Sequence, residues 1–208
     1  MKLYYSPGAC SLSPHIVARE AGLPVTFVKA STKTHRLDDG TDYYTVNPKG
    51  YVPLLELGNG ERLSEGPAIV QYLADRNPAS GLAPANGTME RYRLQEWLNF
   101  ITSELHKQFS PMFAANTPDE YKKILKDKIA GRLEWLAGEL EGKDYLMGKQ
   151  FTVADAYLYT VLRWTGFVGI DLERWPALVA YQARVGSRPK VREALVAEGL
   201  VKQAEKAA

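Results

Sequence analysis

The chain has 208 residues, 45% of them hydrophobic and 24% charged, the balance of a globular protein, and a prior of roughly 150 residues per domain allows one or two domains. Its 26 basic and 24 acidic side chains leave a formal charge of +2, too little for a one-signed field, so neither nucleic acid nor an anionic membrane is indicated as a partner. The opening "MKLYYSPGAC" is broken by proline and glycine too early for a secretory signal, and no apolar run is long enough to span a bilayer. Its one cysteine cannot close a disulfide within the chain. Together these features point to the cytoplasm.

In chain order, "KLYYS" reads as a short strand, and "SLSPHIVAREAG" as a helix with Leu12, Ile16 and Val17 on one face, stopped by Gly22 and Pro24. "VTFVKA" is a second strand, rich in β-branched and aromatic residues. Residues 31–47 are polar and read as loop with at most a short helix. "VPLLELGNGERLS" supplies two strands around the turn Gly58-Asn59-Gly60, and "GPAIVQYLADRN" an amphipathic helix with proline in its first turn, where a missing N–H costs nothing. The order is β-α-β followed by β-β-α. Residues 77–88, "NPASGLAPANGT", are linker-like in composition. The expected division is therefore an α/β domain at 1–80, a linker at 81–88 and an all-α domain at 89–208. In that last part helices are expected from Met89 to Ser110, Pro118 to Glu141 and Val153 to about Ile170, with two shorter ones after Trp175 and Pro189. Thr152 and Asp155 have the spacing of a capping box ahead of "AYLYTVL" and are read as purely structural.

Three stretches carry candidate chemistry. In "YSPGACSLSPHI" Cys10 stands just ahead of a helix start, where backbone N–H groups and the helix dipole favour a thiolate. Ser13 occupies the place of a second redox cysteine, so the thiol cannot resolve its own disulfide, though it can hold a mixed disulfide with an external thiol. The competing reading is a buried cysteine acting as a small hydrophobe. In "NPKGYVPLL", Pro53 sits at a strand start, and a cis Val52–Pro53 bond would turn the backbone of Val52 outward to pair with an extended peptide. In "LSEGPAIVQYLAD", Ser64, Glu65 and Gly66 precede a helix N-terminus that suits a carboxylate, with Glu65 placed to take an ammonium group; the three also read as simple caps. Further on, Leu94, Trp97, Leu98, Ile101 and Leu105 form one helical stripe, and Asn99, Ser103 and His106 lie roughly opposite, as a polar face that is either simply wet or turned to a ligand.

Taken together, "YSPGACSLSPHI", "NPKGYVPLL", "LSEGPAIVQYLAD", "EWLNFITSELHK" and "FTVADAYLYTVLRW" resemble the bacterial beta-class, cysteine-type glutathione S-transferases over essentially the whole chain. The resemblance implies a thioredoxin-like glutathione-binding domain, a helical domain contributing the pocket for the second substrate, and a homodimer. It implies conjugation of the glutathione thiolate to small hydrophobic electrophiles, with no metal. Cys10 would face, or be disulfide-linked to, the glutathione sulfur. Val52 and Pro53 would meet the tripeptide backbone, Glu65 and Gly66 the γ-glutamyl end, and Asn99, Ser103, His106 and Lys107 would add contacts from the long helix, with His106 as proton partner of the sulfur. At position 35 the family pattern has lysine for the glycyl carboxylate; this chain has His35, shorter and only partly charged near neutrality. Tyr5 and Ser11 are further candidates to assist the thiol. The alternatives are a glutathione-dependent thiol-disulfide oxidoreductase or peroxidase working through a Cys10 mixed disulfide, and a non-catalytic carrier of hydrophobic ligands.

Overall fold

A computed structural model describes residues 1–202. They divide into two compact units, one comprising Met1–Ser80 and the chain from Ser187 onward, the other Gly81–Gly186.

The first unit is built on a four-stranded mixed sheet. Strands β1 (Lys2–Tyr5), β2 (Thr26–Lys29), β3 (Leu54–Glu56) and β4 (Arg62–Ser64) stand in the order β2-β1-β3-β4. The β1–β2 pair is parallel, joined through helix α1 (Leu12–Glu20), while β1–β3 and β3–β4 are antiparallel. Pairing of Leu3 with Leu55 and of Tyr4 with Leu54 sets alternate side chains on opposite faces. Leu3 and Leu55 are wholly buried, as are Ile16 and Val17 of α1 and Ile69, Val70 and Leu73 of α2 (Gly66–Arg76). On the other face Tyr4 and Leu54 join Ala30, Tyr43, Val46 and Val52 in a second cluster. The polar stretch from residue 31 contributes only a 3-10 turn at Tyr43–Thr45, yet Tyr43 anchors that cluster. The β3–β4 turn closes with Gly60 at φ 87°, the one residue of Gly58-Asn59-Gly60 in the left-handed region.

The second unit is helical. Its main helices are α3 (Met89–Phe100), the single turn α4 (Lys107–Phe109), α5 (Asp119–Leu140), α6 (Val153–Leu162) and α7 (Pro176–Gly186). Every residue of α6 is buried, the polar Asp155 and Thr160 included, whereas α5 buries a stripe of Leu125, Ile129, Leu133, Leu136 and Leu140. The helix expected up to Ile170 ends at Leu162 and passes into a 3-10 turn at Thr165–Val168 closed by Gly169 at φ 68°. Between α3 and α4 the backbone is a π-helix over Ile101–His106, shown by the Lys107 N–H reaching the Thr102 carbonyl five residues back.

Two expected boundaries move. The final helix α8 (Pro189–Ala197), assigned from sequence to the helical domain at 89–208, packs on α1 in the first unit. It is held by Arg188, whose guanidinium donates to both Glu20 oxygens at 2.7 and 2.8 Å. The buried Glu198 carboxylate adds to this, accepting the Gly8 N–H at 2.9 Å and meeting His15 Nδ1 at 2.8 Å. His15, 1% exposed, is thus structural. The stretch 81–88 is not a free linker. Leu82 is buried and its carbonyl accepts the Val153 N–H at 2.9 Å, while the Gly81 and Pro84 carbonyls accept from Gln150 and Arg91.

The capping box forms as expected, and Asp155 does more than cap. Its carboxylate accepts from the Thr152 N–H and hydroxyl, the Leu146 N–H and the Tyr181 hydroxyl at 2.8 to 3.0 Å. Burial pushes this carboxyl above the ordinary range, against the pull of the four donors. Replacing Asp155 by Ala strands those donors in a dry core and should cost about 3 kcal/mol or more. Asp155→Asn, which keeps one acceptor oxygen, should cost less. Urea unfolding midpoints decide it, and an alanine variant as stable as the parent would rule out this role.

Candidate active site

In the first unit the path from β1 to α1 runs through a tight turn with Gly8 at φ 72°. Ser11 ties that turn together: its oxygen accepts the Ser6 N–H at 3.0 Å and lies 3.2 Å from the Ser6 carbonyl, and the side chain is fully buried. Ser11 is thereby committed to the backbone. Tyr5 packs edge-on against His15 and Phe27, and burial raises its phenol above its ordinary pKa. Neither side chain hydrogen-bonds to the Cys10 sulfur.

Cys10 lies two residues ahead of α1, and as a residue it is partly exposed. Its Sγ donates to the Val52 carbonyl at 3.2 Å. The sulfur itself is packed closely enough that desolvation pushes the thiol up to about 12. The backbone N–H groups of Cys10 and Ser11 pull in the opposite direction, as a helix start should, but they are outweighed, and the Glu65 charge adds to the rise. Set beside the expectation of a thiolate steadied by the helix start, burial works the other way: it disfavours the anion more than the nearby amides favour it.

Val52 and Pro53 are both buried, and the bond between them is cis, as the sequence pattern suggested. The segment before them is held by contacts that sequence reading missed. The Tyr51 carbonyl accepts from Asn47 Nδ2 at 2.7 Å and from the buried Tyr43 hydroxyl at 2.9 Å. Asn and Pro in "NPKG" are turn residues, and that was the available signal.

Glu65 closes β4 and caps α2 at φ 72°, ψ 115°, a left-handed backbone rare for a residue with a side chain and costing about 1–3 kcal/mol. The Ala68 and Ile69 N–H groups bond to its carbonyl and hold it there. Its carboxylate is exposed and meets Lys49 Nζ at 3.0 Å, with Ser64 Oγ 3.4 Å from the same ammonium. Gly66 follows, where an added Cβ would come to 4.0 Å from the Pro53 ring. Cys10, Val52, Pro53, Glu65 and Gly66 thus gather at one end of the sheet. Lys49 joins them as a cation standing on the carboxylate that was expected to take an ammonium group.

His35 is also strained, at φ 51°, and its ring stacks on Tyr44 with centroids 4.6 Å apart. Its Nδ1 is buried and has no hydrogen-bond partner in the structure. It lies so close to Gly50 that a Cβ there would come within 2.9 Å of it. His35 therefore borders the same loop, 47–52, that leads to Val52.

In the second unit Asn99, Ser103 and Lys107 are exposed, and the Ser103 hydroxyl donates back to the Asn99 carbonyl at 3.0 Å. His106 departs from that wet face. The extra residue in the π-turn rotates it towards α6, where Nδ1 stands 2.6 Å from the Tyr157 hydroxyl. Its ring meets Trp164 edge-on at 4.9 Å, and Phe109 and Phe113 pack edge-on against the same indole. Among the described residues, no group of three or more His, Cys, Asp or Glu side chains stands close enough to hold a metal ion.

Against known proteins, residues 8–76 match the family model described as the glutathione S-transferase N-terminal domain, and residues 100–189 that of the C-terminal domain. The chain is 46% identical over 200 residues to glutathione S-transferase GstA of Escherichia coli O157:H7, covering 96% of this chain and all of that protein. A sphingomonad glutathione S-transferase solved in complex with glutathione is 50% identical, with a TM-score of 0.93 over 97% of this chain and all of that one. The bacterial beta-class enzyme of Sphingomonas chungbukensis is 48% identical, with a TM-score of 0.94 over the same shares. The chain belongs to the glutathione S-transferase family, and glutathione is its co-substrate.

The state of the thiol gives a direct test. With no ligand present, alkylation of Cys10 by iodoacetamide should accelerate about tenfold per pH unit from pH 7 to 10 without levelling, because the reactive thiolate is still a minority species. A plateau near pH 7 would contradict this effect of burial.

Proposed function

We propose that this glutathione S-transferase joins glutathione, through its sulfur, to small apolar electrophiles, with Cys10 facing that sulfur. The observation that carries the reading is the Cys10 thiol lodged on the Val52 carbonyl at 3.2 Å. An extended tripeptide pairing with Val52 as an added strand claims that same carbonyl with its own N–H. Binding then displaces the Cys10 hydrogen bond and leaves Sγ turned towards the newcomer. Glu65, held in a strained backbone as residues at functional sites often are, takes the ammonium of the γ-glutamyl group once Lys49 gives way, and the first N–H groups of α2 from Gly66 receive its carboxylate. His35 borders the loop that carries Val52 and suits the glycyl carboxylate, while Asn99, Ser103 and Lys107 supply exposed polar groups for further contacts.

In the reaction the glutathione S–H bond breaks, His106 takes the proton, the sulfur forms a bond to the electrophilic carbon, and the leaving group departs with that carbon's former bonding pair. The aromatic group formed by Trp164, Phe109 and the half-exposed Phe113 beside His106 suits an apolar, flat electrophile. As the resemblance implies, the working form is a homodimer in the cytoplasm; among the described residues no helix is long and apolar enough to cross a membrane.

Disulfide exchange is the second reading, with a Cys10 thiolate attacking oxidised glutathione to give a mixed disulfide and one released glutathione thiolate. The Cys10 thiol is engaged with the Val52 carbonyl, and burial disfavours its anion; both observations favour conjugation as the first reading. A paired assay separates the two. Cys10→Ala should retain most conjugation of a chloronitrobenzene to glutathione while losing any glutathionyl adduct seen by intact mass after treatment with oxidised glutathione. Loss of both activities together would make Cys10 the centre of a redox enzyme instead. Glu65→Gly should relieve the backbone strain, leaving the fold at least as stable, yet weaken glutathione binding about tenfold or more through the lost ion pair. Calorimetric titration and thermal unfolding of the same sample check both halves, and undiminished affinity would remove Glu65 from the site.

A further inference from the structure

In the first unit the Tyr51 carbonyl accepts from two side chains of one short segment, the Tyr43 hydroxyl at 2.9 Å and Asn47 Nδ2 at 2.7 Å. Two donors fill both acceptor positions of the oxygen. Neither assignment can be reversed. A phenol facing a carbonyl oxygen is the only donor of the two, and the Asn47 amide is fixed from its other end, because Oδ1 accepts the Lys49 N–H at 3.2 Å. The two donors are also tied to each other, since the Asn47 N–H bonds to the Tyr43 carbonyl at 2.8 Å. Both side chains are buried, so bulk water does not compete for these contacts. Burial pushes the Tyr43 phenol up to about 12, and the hydroxyl keeps its hydrogen throughout the neutral range.

The pinned oxygen belongs to the peptide unit that also contains the Val52 N–H. That unit is planar and trans, so fixing the oxygen on one side fixes the direction of the hydrogen on the other. Among the described residues the Val52 N–H has no acceptor, although Val52 is buried. A buried N–H without a partner is uncommon, and here it stands beside a carbonyl that holds only a thiol. We propose that Tyr43 and Asn47 are positioning residues that set, through the Tyr51 carbonyl, the direction in which the Val52 N–H meets a carbonyl of the bound tripeptide. The inference rests on the reading that glutathione pairs with Val52 as an added strand. In this role the two side chains act through the peptide plane. With the plane held by folding, glutathione does not have to order it on binding, and the affinity it would lose to that ordering is kept.

The test is amide hydrogen exchange of the full-length protein with and without saturating glutathione, read alongside the dissociation constant for glutathione and kcat with a chloronitrobenzene. In the parent, glutathione should slow exchange at Val52 about tenfold or more. Tyr43→Phe keeps the ring, which packs on Tyr4, and removes the hydroxyl alone. It should weaken glutathione binding about fivefold, leave kcat at saturation within about twofold, and shrink the slowing that glutathione causes at Val52. The amides of Leu3 and Leu55, paired within the sheet, should exchange as in the parent, whereas a merely structural loss would quicken them too. Asn47→Asp, which keeps the acceptor for the Lys49 N–H and removes the donor, should act in the same direction and serves if Tyr43→Phe fails to fold. Parental affinity in both variants, or weakened affinity with parental slowing at Val52, would overturn the proposal. No slowing at Val52 in the parent would instead overturn the reading beneath it, so the two failures are told apart.

Discussion

The chemistry of the first unit depends on where the carbonyl of Val52 points. It accepts the Cys10 thiol, and it is held in place because the neighbouring Tyr51 carbonyl is pinned by Asn47 and Tyr43. A sheet end normally offers unpaired backbone groups to any passing strand. Here the offer is occupied by a thiol, a weak donor that an amide N–H outcompetes. On the proposed reading a peptide N–H displaces the thiol from this carbonyl, and the group uncovered by the exchange is the sulfur. The same packing that lodges the thiol against the carbonyl disfavours its anion.

A comparable substitution of partners holds at Glu65. Lys49 neutralises the carboxylate across 3.0 Å, but both side chains are well exposed, and such pairs contribute little, so a ligand ammonium faces only a small barrier in replacing the lysine. The costly element is the backbone of Glu65 itself, whose φ of 72° is maintained by the start of α2. Strain carried in the fold and a cheap ion pair at the surface are what the proposed role of Glu65 requires of a site organised before its ligand arrives.

The helical unit works by a different principle. Its centre is α6, buried on all sides and begun by a capping box whose aspartate also gathers Leu146 and Tyr181. With that helix fixed, Tyr157 becomes a stable reference point, and the π-turn between α3 and α4 brings His106 to it. A regular helix would have left His106 beside Asn99 and Ser103 on the wet face. One residue more in a turn moves it from solvent into an aromatic and hydroxyl environment.

What the sequence by itself determined is what short spans of chain can specify. The order of strands and helices, the hairpin at Gly58-Asn59-Gly60, proline at the start of α2 and the Thr152–Asp155 cap all depend on neighbours within a few positions, and each formed where expected. The candidate residues Cys10, Val52, Pro53, Glu65 and Gly66 were legible because turn, strand start and helix start are local signals. What only the tertiary structure decided involves partners far along the chain: the Cys10 thiol against the Val52 carbonyl, Lys49 on Glu65, α8 returning to α1 through Glu198, and His106 meeting Tyr157. The reason is physical. Propensity and capping act over a turn or two, whereas desolvation and the pairing of buried polar groups depend on which distant segments pack together, and local pattern does not encode that.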